Sequence, residues 1–265
     1  MKAIVIAAGR GKRLGAHTDD VPKCMVQVGD RPMLAWQWRA LQAAGVDELV
    51  LIRGYKGDVL EQFVRRLGIP ARYVDNPEWE TNNILLSLAC ARHELVGPLV
   101  FTYSDIIYTP DVALTLAETQ GPIALVVDRD FRTIYEGRTE HPLDEGEVCD
   151  LRPDGRIARV GKRALPAADA IGEFIGLGKV DAEGARLFAT AIDELAAAYA
   201  GRDDQPFQRA ARFRNAYLTD LLQHLIDADH PAWPAMIHGQ WREIDTGQDL
   251  ERARVLVESH PEEWS

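Results

Sequence analysis

The chain has 265 residues, 46% hydrophobic and 27% charged, enough apolar content to bury a full core as one domain or as one domain with appendages. A formal net charge of -11 excludes the basic face of a nucleic-acid binder. Cys24, Cys90 and Cys149 are odd in number and far apart, so neither a disulfide frame nor a zinc site is indicated, and such thiols fit a reducing cytoplasm.

The first element is a short strand of small and β-branched residues, Lys2 to Ala8. Its apolar run is shorter than a signal-peptide core, and nothing longer elsewhere could span a bilayer, so no membrane partner is expected. A glycine- and cation-rich loop follows, ending in Val21-Pro22-Lys23-Cys24-Met25. Gly9 and Gly11 let backbone N–H groups approach an anion without Cβ interference, and Lys12, Arg13 and Lys23 supply charge. A dinucleotide fingerprint needs glycines at its first, third and sixth positions, but counting from Gly9 the sixth is Leu14 and Gly15 comes one residue late. The P-loop pattern G-x-x-x-x-G-K-[ST] fits nowhere.

Helices and strands then alternate. Pro32 to Ala44 is amphipathic with proline at a helix start, followed by a strand at Val46–Ile52, a helix at Asp58–Leu67, a strand at Arg72–Asp75, a helix at Ile84–His93 and a strand at Leu99–Tyr103. A short fourth helix leads to a strand at Ile123–Val127. Nearly all-apolar strands in this rhythm predict an α/β fold with a mixed, mainly parallel sheet flanked by helices and buried on both faces. From about Arg129 the texture changes: Glu147–Leu151 and Arg156–Val160 flank the turn chemistry of Arg152-Pro153-Asp154-Gly155 and predict a hairpin. A strand is expected at Glu173–Val180, and helices at Ala182–Tyr199, Asn215–Ala228 and Gln248–Glu258. With no repeat or linker, residues 1–265 read as a single domain with a nucleotide-binding half up to about residue 128 and an acceptor-binding half beyond it. Gly201 to Gln205 is the stretch expected to be flexible. The seven histidines show no H-x-x-x-H pairing and read as surface or structural residues.

Ala7-Ala8-Gly9-Arg10-Gly11-Lys12-Arg13-Leu14, then Pro22-Lys23, resembles the A-A-G-x-G-x-R-L…P-K signature of MobA-like and sugar-phosphate-type nucleotidyltransferases, with their Rossmann-like fold. Two carboxylates extend the resemblance: Asp105 in Tyr103-Ser104-Asp105 after an apolar strand, and Asp245 in Glu243-Ile244-Asp245 just before a helix. Ligands of open α/β sheets collect outside the carboxyl ends of strands. A turn role for Asp105 and a helix N-cap role for Asp245 are the competing readings. The resemblance implies that Ala7, Ala8, Gly9, Gly11, Lys12 and Arg13 surround the nucleotide, that Lys23, Arg13 and Asp105 carry catalysis, and that Asp105 and Asp245 bind Mg²⁺. Lys12 departs from the Thr or Ser of most members.

Asn76 to Leu88 resembles the N…(T/Y)-N-(S/N/M)-I…S segment of the choline-phosphate and phosphonate cytidylyltransferase branch, which implies CTP and a base contacted by Asn82, Asn83 and Ser87. Amides both donate and accept, as a pyrimidine edge requires; the same residues also cap helices. The E-K-P of glucose-1-phosphate enzymes survives only as Lys162, a candidate for the acceptor phosphate. For an amine-bearing acceptor, such as phosphocholine or 2-aminoethylphosphonate, Trp79, Tyr103, Tyr108 and Tyr135 are candidate faces, and Glu173 and Asp220 candidate counter-charges. A phosphate nucleophile is ionised near neutral pH, so attack on the α-phosphorus of the triphosphate needs no general base. The rivals are a sugar-1-phosphate nucleotidylyltransferase using UTP, dTTP or GTP, and an inactive nucleotide-binding regulatory subunit; homo-oligomerisation is left open.

Overall fold

The computed structural model describes residues 1–264. Strand β1 (Lys2–Ala7) runs into two 3₁₀ segments, Lys12–Thr18 and Lys23–Met25, and a minimal hairpin, β2 (Gln27–Val28) with β3 (Arg31–Pro32), feeds helix α1 (Met33–Ala43). There follow β4 (Glu48–Arg53), α2 (Gly57–Arg66), β5 (Ala71–Asp75), α3 (Ile84–Cys90), β6 (Leu99–Tyr103), β7 (Ile106–Tyr108), α4 (Pro110–Glu118), β8 (Ile123–Asp128) and α5 (Phe131–Tyr135). The second half holds β9 (Glu147–Leu151), β10 (Ile157–Lys162), β11 (Gly172–Val180), α6 (Ala182–Ala198), α7 (Leu218–Asp227), β12 (Ala232–Ile237), β13 (Trp241–Glu243), α8 (Gly247–Ser259) and α9 (Pro261–Trp264).

The main sheet has 9 strands in the order β10-β9-β11-β6-β1-β4-β5, with β8 on β11 and β12 on β8. Only β10 and β11 run against the rest. Strand β1 shows why its sequence is wholly apolar: Ala3, Val5 and Ala7 face one layer of the core, and Ile4 and Ile6 the other. Side chains alternate across a strand, so a central strand covered on both faces has no polar position to offer. Each buried Val or Ile contributes roughly 1.5–3 kcal/mol.

Strand β11 creates the opening that the site uses. Gly172 and Glu173 pair with β9, whereas Leu177 to Val180 pair with β6. Between the two pairings the register against β8 shifts, and Gly176 turns with φ +84°, where a Cβ would lie 2.2 Å from the Tyr103 ring. The end of β6 and the start of β9 therefore stand apart along one edge of β11, and the side chains of that gap face a cleft.

Several elements differ from the sequence expectation. Helix α3 stops at Cys90, with Arg92–Glu94 as a 3₁₀ turn, and α7 starts at Leu218 because Phe213–Asn215 is 3₁₀. Strand β12 contains Pro234 and pairs only with β8; an edge strand tolerates a missing N–H, so the proline that hides it from a sequence reading costs it no ladder. The ribbon of β7 with β13 is only 3 residues a side. Among the described residues no helix is long and apolar enough to cross a membrane.

Candidate active site

The loop after β1 forms one wall. Gly11 sits at φ 70°, ψ 45°, a left-handed conformation that glycine adopts without a Cβ clash. A Cβ there would lie 2.8 Å from Cδ of Lys23, so this glycine also gives the lysine side chain room. Lys23, buried in the short turn after Pro22, donates from Nζ to Asp105 Oδ2 at 2.8 Å and to Asp245 Oδ1. Arg13 Nη2 donates to the other oxygen of Asp245 at 2.5 Å.

The two aspartates, 140 positions apart by number (245 − 105), meet through the β7–β13 ribbon. Asp105 lies in the turn between β6 and β7, Asp245 just beyond β13, and Ile244 N–H donates to Asp105 O at 2.8 Å. Thr246 is the N-cap of α8 and forms a capping box with Asp249, so the cap role open to Asp245 belongs to its neighbour and its carboxylate is left to the site. Burial alone would raise the Asp245 pKa, but Lys23, His141 and Arg13 hold it well below the usual range. Burial would also discharge Lys23, and the two carboxylates overcome it, so its ammonium stays charged.

A cavity of about 360 Å³ lies over this cluster, lined by Ala8, Gly9, Gly11, Lys12, Arg13, Lys23, Trp79, Asn82, Asn83, Ser87, Asp105 and Asp245, among others. Ala7 is not in that wall; its side chain packs in the core beneath. Asn76 organises the amide side: its Nδ2 donates to Asn82 Oδ1 and Ser87 Oγ, both at 2.9 Å, and its Oδ1 accepts from Asn82 Nδ2 at 3.0 Å. Asn83 holds the N-cap position of α3 but its side chain makes no cap bond and donates instead to Asn215 O at 2.9 Å. Trp79 stands on this side and Tyr108 is fully buried, which leaves Tyr103 as the aromatic candidate shared with the second cavity.

That second cavity, about 230 Å³, shares Arg13, Asn83, Ile84, Tyr103, Asp105 and Asp245 with the first and adds Glu145, Glu147, Lys162, Glu173, Tyr217 and Glu243. It occupies the gap left by β11. Tyr103 and Thr219 hydroxyls donate to the two oxygens of Glu147, each at 2.9 Å, and burial pushes this carboxyl up to about 7. Tyr135 does not line the cavity; its hydroxyl donates to Glu173 Oε1 at 2.7 Å from behind. Glu173 Oε2 is buried without a partner, and burial, with Glu243 nearby, raises this carboxyl to about 8. Lys162 Nζ lies 3.2 Å from Glu145 and 4.7 Å from the Tyr217 ring centre. Asp220, expected as an acceptor counter-charge, is instead engaged by backbone: it accepts from Tyr217 N–H (2.8 Å) and Arg209 N–H (3.1 Å) and lies outside this cavity.

Sequence reasoning missed Asn76 as the hub, the carboxylates Glu145, Glu147 and Glu243, and a buried support for Asp245. His141 Nδ1 lies 3.3 Å from Asp245 Oδ2 and 3.5 Å from Glu243, so the expectation for histidines overlooks a site neighbour. Arg138 bonds Asp249 (2.7 Å) and Glu243 (3.1 Å). The one sequence signal among these residues was the acidic Glu147 opening an apolar strand, the position that Glu173, already a candidate, takes in the strand expected at Glu173–Val180.

The MobA-like NTP transferase domain model matches residues 3–234. The chain belongs to this family. It is therefore a nucleotidyltransferase, and its mixed, mostly parallel sheet is the Rossmann-like fold of such enzymes. Over 257 residues it is 30% identical to the CTP:phosphoglutamine cytidylyltransferase of Campylobacter jejuni, covering 95% of this chain and 98% of that one. The CMP-5'-(3-aminopropyl)phosphonate synthase of Streptomyces rubellomurinus is 34% identical over 60% of this chain, a match spanning 25% of that longer protein. The solved CTP:phosphocholine cytidylyltransferase of Streptococcus pneumoniae superimposes with a TM-score of 0.71 at 20% identity, covering 97% of this MobA-like chain and 98% of that one.

Proposed function

We propose that the chain is a CTP-dependent cytidylyltransferase that transfers CMP to the phosphate or phosphonate oxygen of a small amine-bearing acceptor and releases pyrophosphate. The observation that carries this reading is the junction of two chemically different cavities at Arg13, Asp105 and Asp245. One offers glycine backbone, cations and amides, as a nucleoside triphosphate requires; the other offers carboxylates around a polar pocket. The named activities of the relatives agree with it.

Both carboxylates bond one ammonium, Lys23 Nζ, so their oxygens converge on a single point. An oxygen-only pair of this kind fits Mg²⁺, which favours one or two carboxylates with substrate phosphates and waters. Bound between Asp105 and Asp245, Mg²⁺ would offset triphosphate charge and orient the α-phosphate. The chain's own groups do the rest. N–H groups of the Gly9–Gly11 loop, with Lys12 and Arg13, hold the departing phosphates, and Lys23 lies at the junction where entering oxygen and α-phosphorus meet. The acceptor oxygen, already ionised near neutral pH, forms the new P–O bond as the bond from the α-phosphorus to the bridging oxygen breaks, and pyrophosphate leaves with that electron pair. Positioning and charge are the catalytic work. The Asn76–Asn82–Ser87 network supports a pyrimidine edge, since locked amides present fixed donors and acceptors.

The test is pyrophosphate release with Mg²⁺ and each of CTP, UTP, dTTP, GTP and ATP, against phosphoglutamine, phosphocholine, 2-aminoethylphosphonate and glucose 1-phosphate. Turnover with CTP and an amine-bearing acceptor, lost in Asp105→Asn, is the expected result. Turnover only with the sugar phosphate and another triphosphate assigns the chain to sugar activation. Nucleotide binding without release in any combination makes it a regulatory subunit.

A further inference from the structure

Beyond the acceptor cavity lies a third, of about 490 Å³, that shares Glu145, Lys162 and Tyr217 with it and adds Gly161, Arg163, Arg209, Thr219 and Asp220. The charge changes sign between the two. The inner cavity has carboxylates at Glu147, Glu173 and Glu243 in addition to the two aspartates, whereas the outer one sets Lys162, Arg163 and Arg209 against Glu145 and Asp220. Glu145 already serves two of those cations, at 3.2 Å from Lys162 and 3.5 Å from Arg163. Arg209 forms no salt bridge among the described residues; its guanidinium donates to Val160 O at 3.3 Å.

Arg209 is held by a rigid turn. Phe207 and Ala210 exchange backbone hydrogen bonds of 3.0 and 2.9 Å, both side chains are buried, and the Phe207 ring packs against Tyr199 and Phe213. Asp220 fixes the turn to the start of α7 by accepting the Arg209 N–H at 3.1 Å. Its carboxylate is thus a positioning group for this arginine. On the inner side Glu173 lines the pocket, is 4% exposed and keeps one oxygen without a partner. A buried oxygen without a partner is costly unless a ligand completes it, and an ammonium group, which supplies three donors, would favour the charged form of this carboxyl.

We infer that the acceptor is a phosphorylated amino acid, its ammonium seated among Glu147, Glu173 and Glu243 and its carboxylate reaching the Lys162–Arg163–Arg209 pocket. This rests on the cytidylyltransferase reading above and narrows it, because an acceptor with only a cationic head leaves the outer cations unused. A bidentate arginine–carboxylate contact is among the stronger polar contacts available.

The experiment compares acceptors that differ only in the carboxylate: O-phosphoserine with phosphoethanolamine, phosphohomoserine with 3-aminopropyl phosphate, and phosphoglutamine with its decarboxylated amide. With CTP and Mg²⁺, the carboxylate-bearing member of at least one pair is expected to show about tenfold higher kcat/KM, chiefly through KM, a factor equal to one strong polar contact. Arg209→Ala removes that advantage and leaves the decarboxylated member within about twofold, and Arg209→Lys restores part of it. Because Arg209 is exposed, the variants keep their fold, and a circular-dichroism melt verifies it. Equal use of both members of every pair, or an Arg209→Ala effect of the same size on both, overturns the amino-acid assignment while cytidylyl transfer stands. Turnover confined to glucose 1-phosphate, or silence across the panel, overturns both.

Discussion

On the nucleotide side the site is made from backbone and neutral side chains close together in sequence: the Gly9–Gly11 loop after β1, and Asn76, Asn82 and Ser87 around the start of α3. On the acceptor side it is made from ionisable side chains brought by β9, β10, β11, β13 and α7, nearly all tied to one another. The first kind of wall suits a constant group, a triphosphate, whose charge N–H groups and a few fixed cations can meet. The second can be retuned by single changes of charge, so family members that share a nucleotide reaction can differ in acceptor. Arg13, Asp105 and Asp245 line both, and Lys23, bonded to the two aspartates, completes the seam between them.

The largest effect is expected where the seam is cut. Lys23→Ala leaves Asp105 and the buried Asp245 facing each other with Arg13 as the remaining close cation. Turnover should drop by about 10³-fold, the scale of losing a charge aimed at the reacting phosphorus, with a lower Tm because a buried charge has lost its partner. Retained turnover would show that the seam is structural. Gly11→Ala is expected next in size: the φ of +70° and the approach of Lys23 should cost about 1–2 kcal/mol of stability and shift the lysine, lowering kcat by more than KM changes. An unchanged kcat at full occupancy would separate the loop from the chemistry.

Asn76→Ala tests the neutral wall alone. It leaves Asn82 and Ser87 without their shared partner, and the KM for CTP should rise about tenfold, the scale of one good polar contact, with the preference for CTP over UTP reduced and the KM for the acceptor unmoved. Competition between the two triphosphates measures it. An equal loss in both KM values would mean that Asn76 supports the whole cleft and not the base.

The same contrast decides what could be read from the chain. The glycine- and cation-rich loop is contiguous, and β1, β4, β6 and β8 are apolar runs that only a doubly covered sheet explains, so the fold and the loop that lines the first cavity were legible. The β7–β13 ribbon that joins Asp105 to Asp245 has too few residues for any periodicity, and Pro234 disguises β12. Partners such as Arg138 and Asp249, 111 residues apart, leave no local pattern, because an ion pair is fixed by where elements cross. Asp220 is a clear case: an acidic residue near a cleft suggests a counter-charge, yet its position three residues after the N-cap of α7 makes it a backbone acceptor.

The smallest effect expected is on stability with pH, and it isolates the ionisable wall without any substrate. Glu147 and Glu173 are raised by burial to about 7 and about 8, from an unfolded value near 4.5. Between those limits the folded chain holds protons that the unfolded chain has lost, so stability falls as pH rises. The contribution is complete below pH ~4.5 and disappears as pH climbs through about 7 and then about 8. Glu173→Gln keeps the shape of the neutral form and cannot ionise. Its Tm should match the parent near pH 5 and exceed it at pH 9, by about 2–4 °C for each kcal/mol that ionisation costs the parent in a chain of this size. Asn76→Ala, on the neutral wall, should lower Tm by the same amount at both pH values. If both variants give parallel shifts across the range, the acceptor wall is no more ionisable than the nucleotide wall and the contrast between them fails.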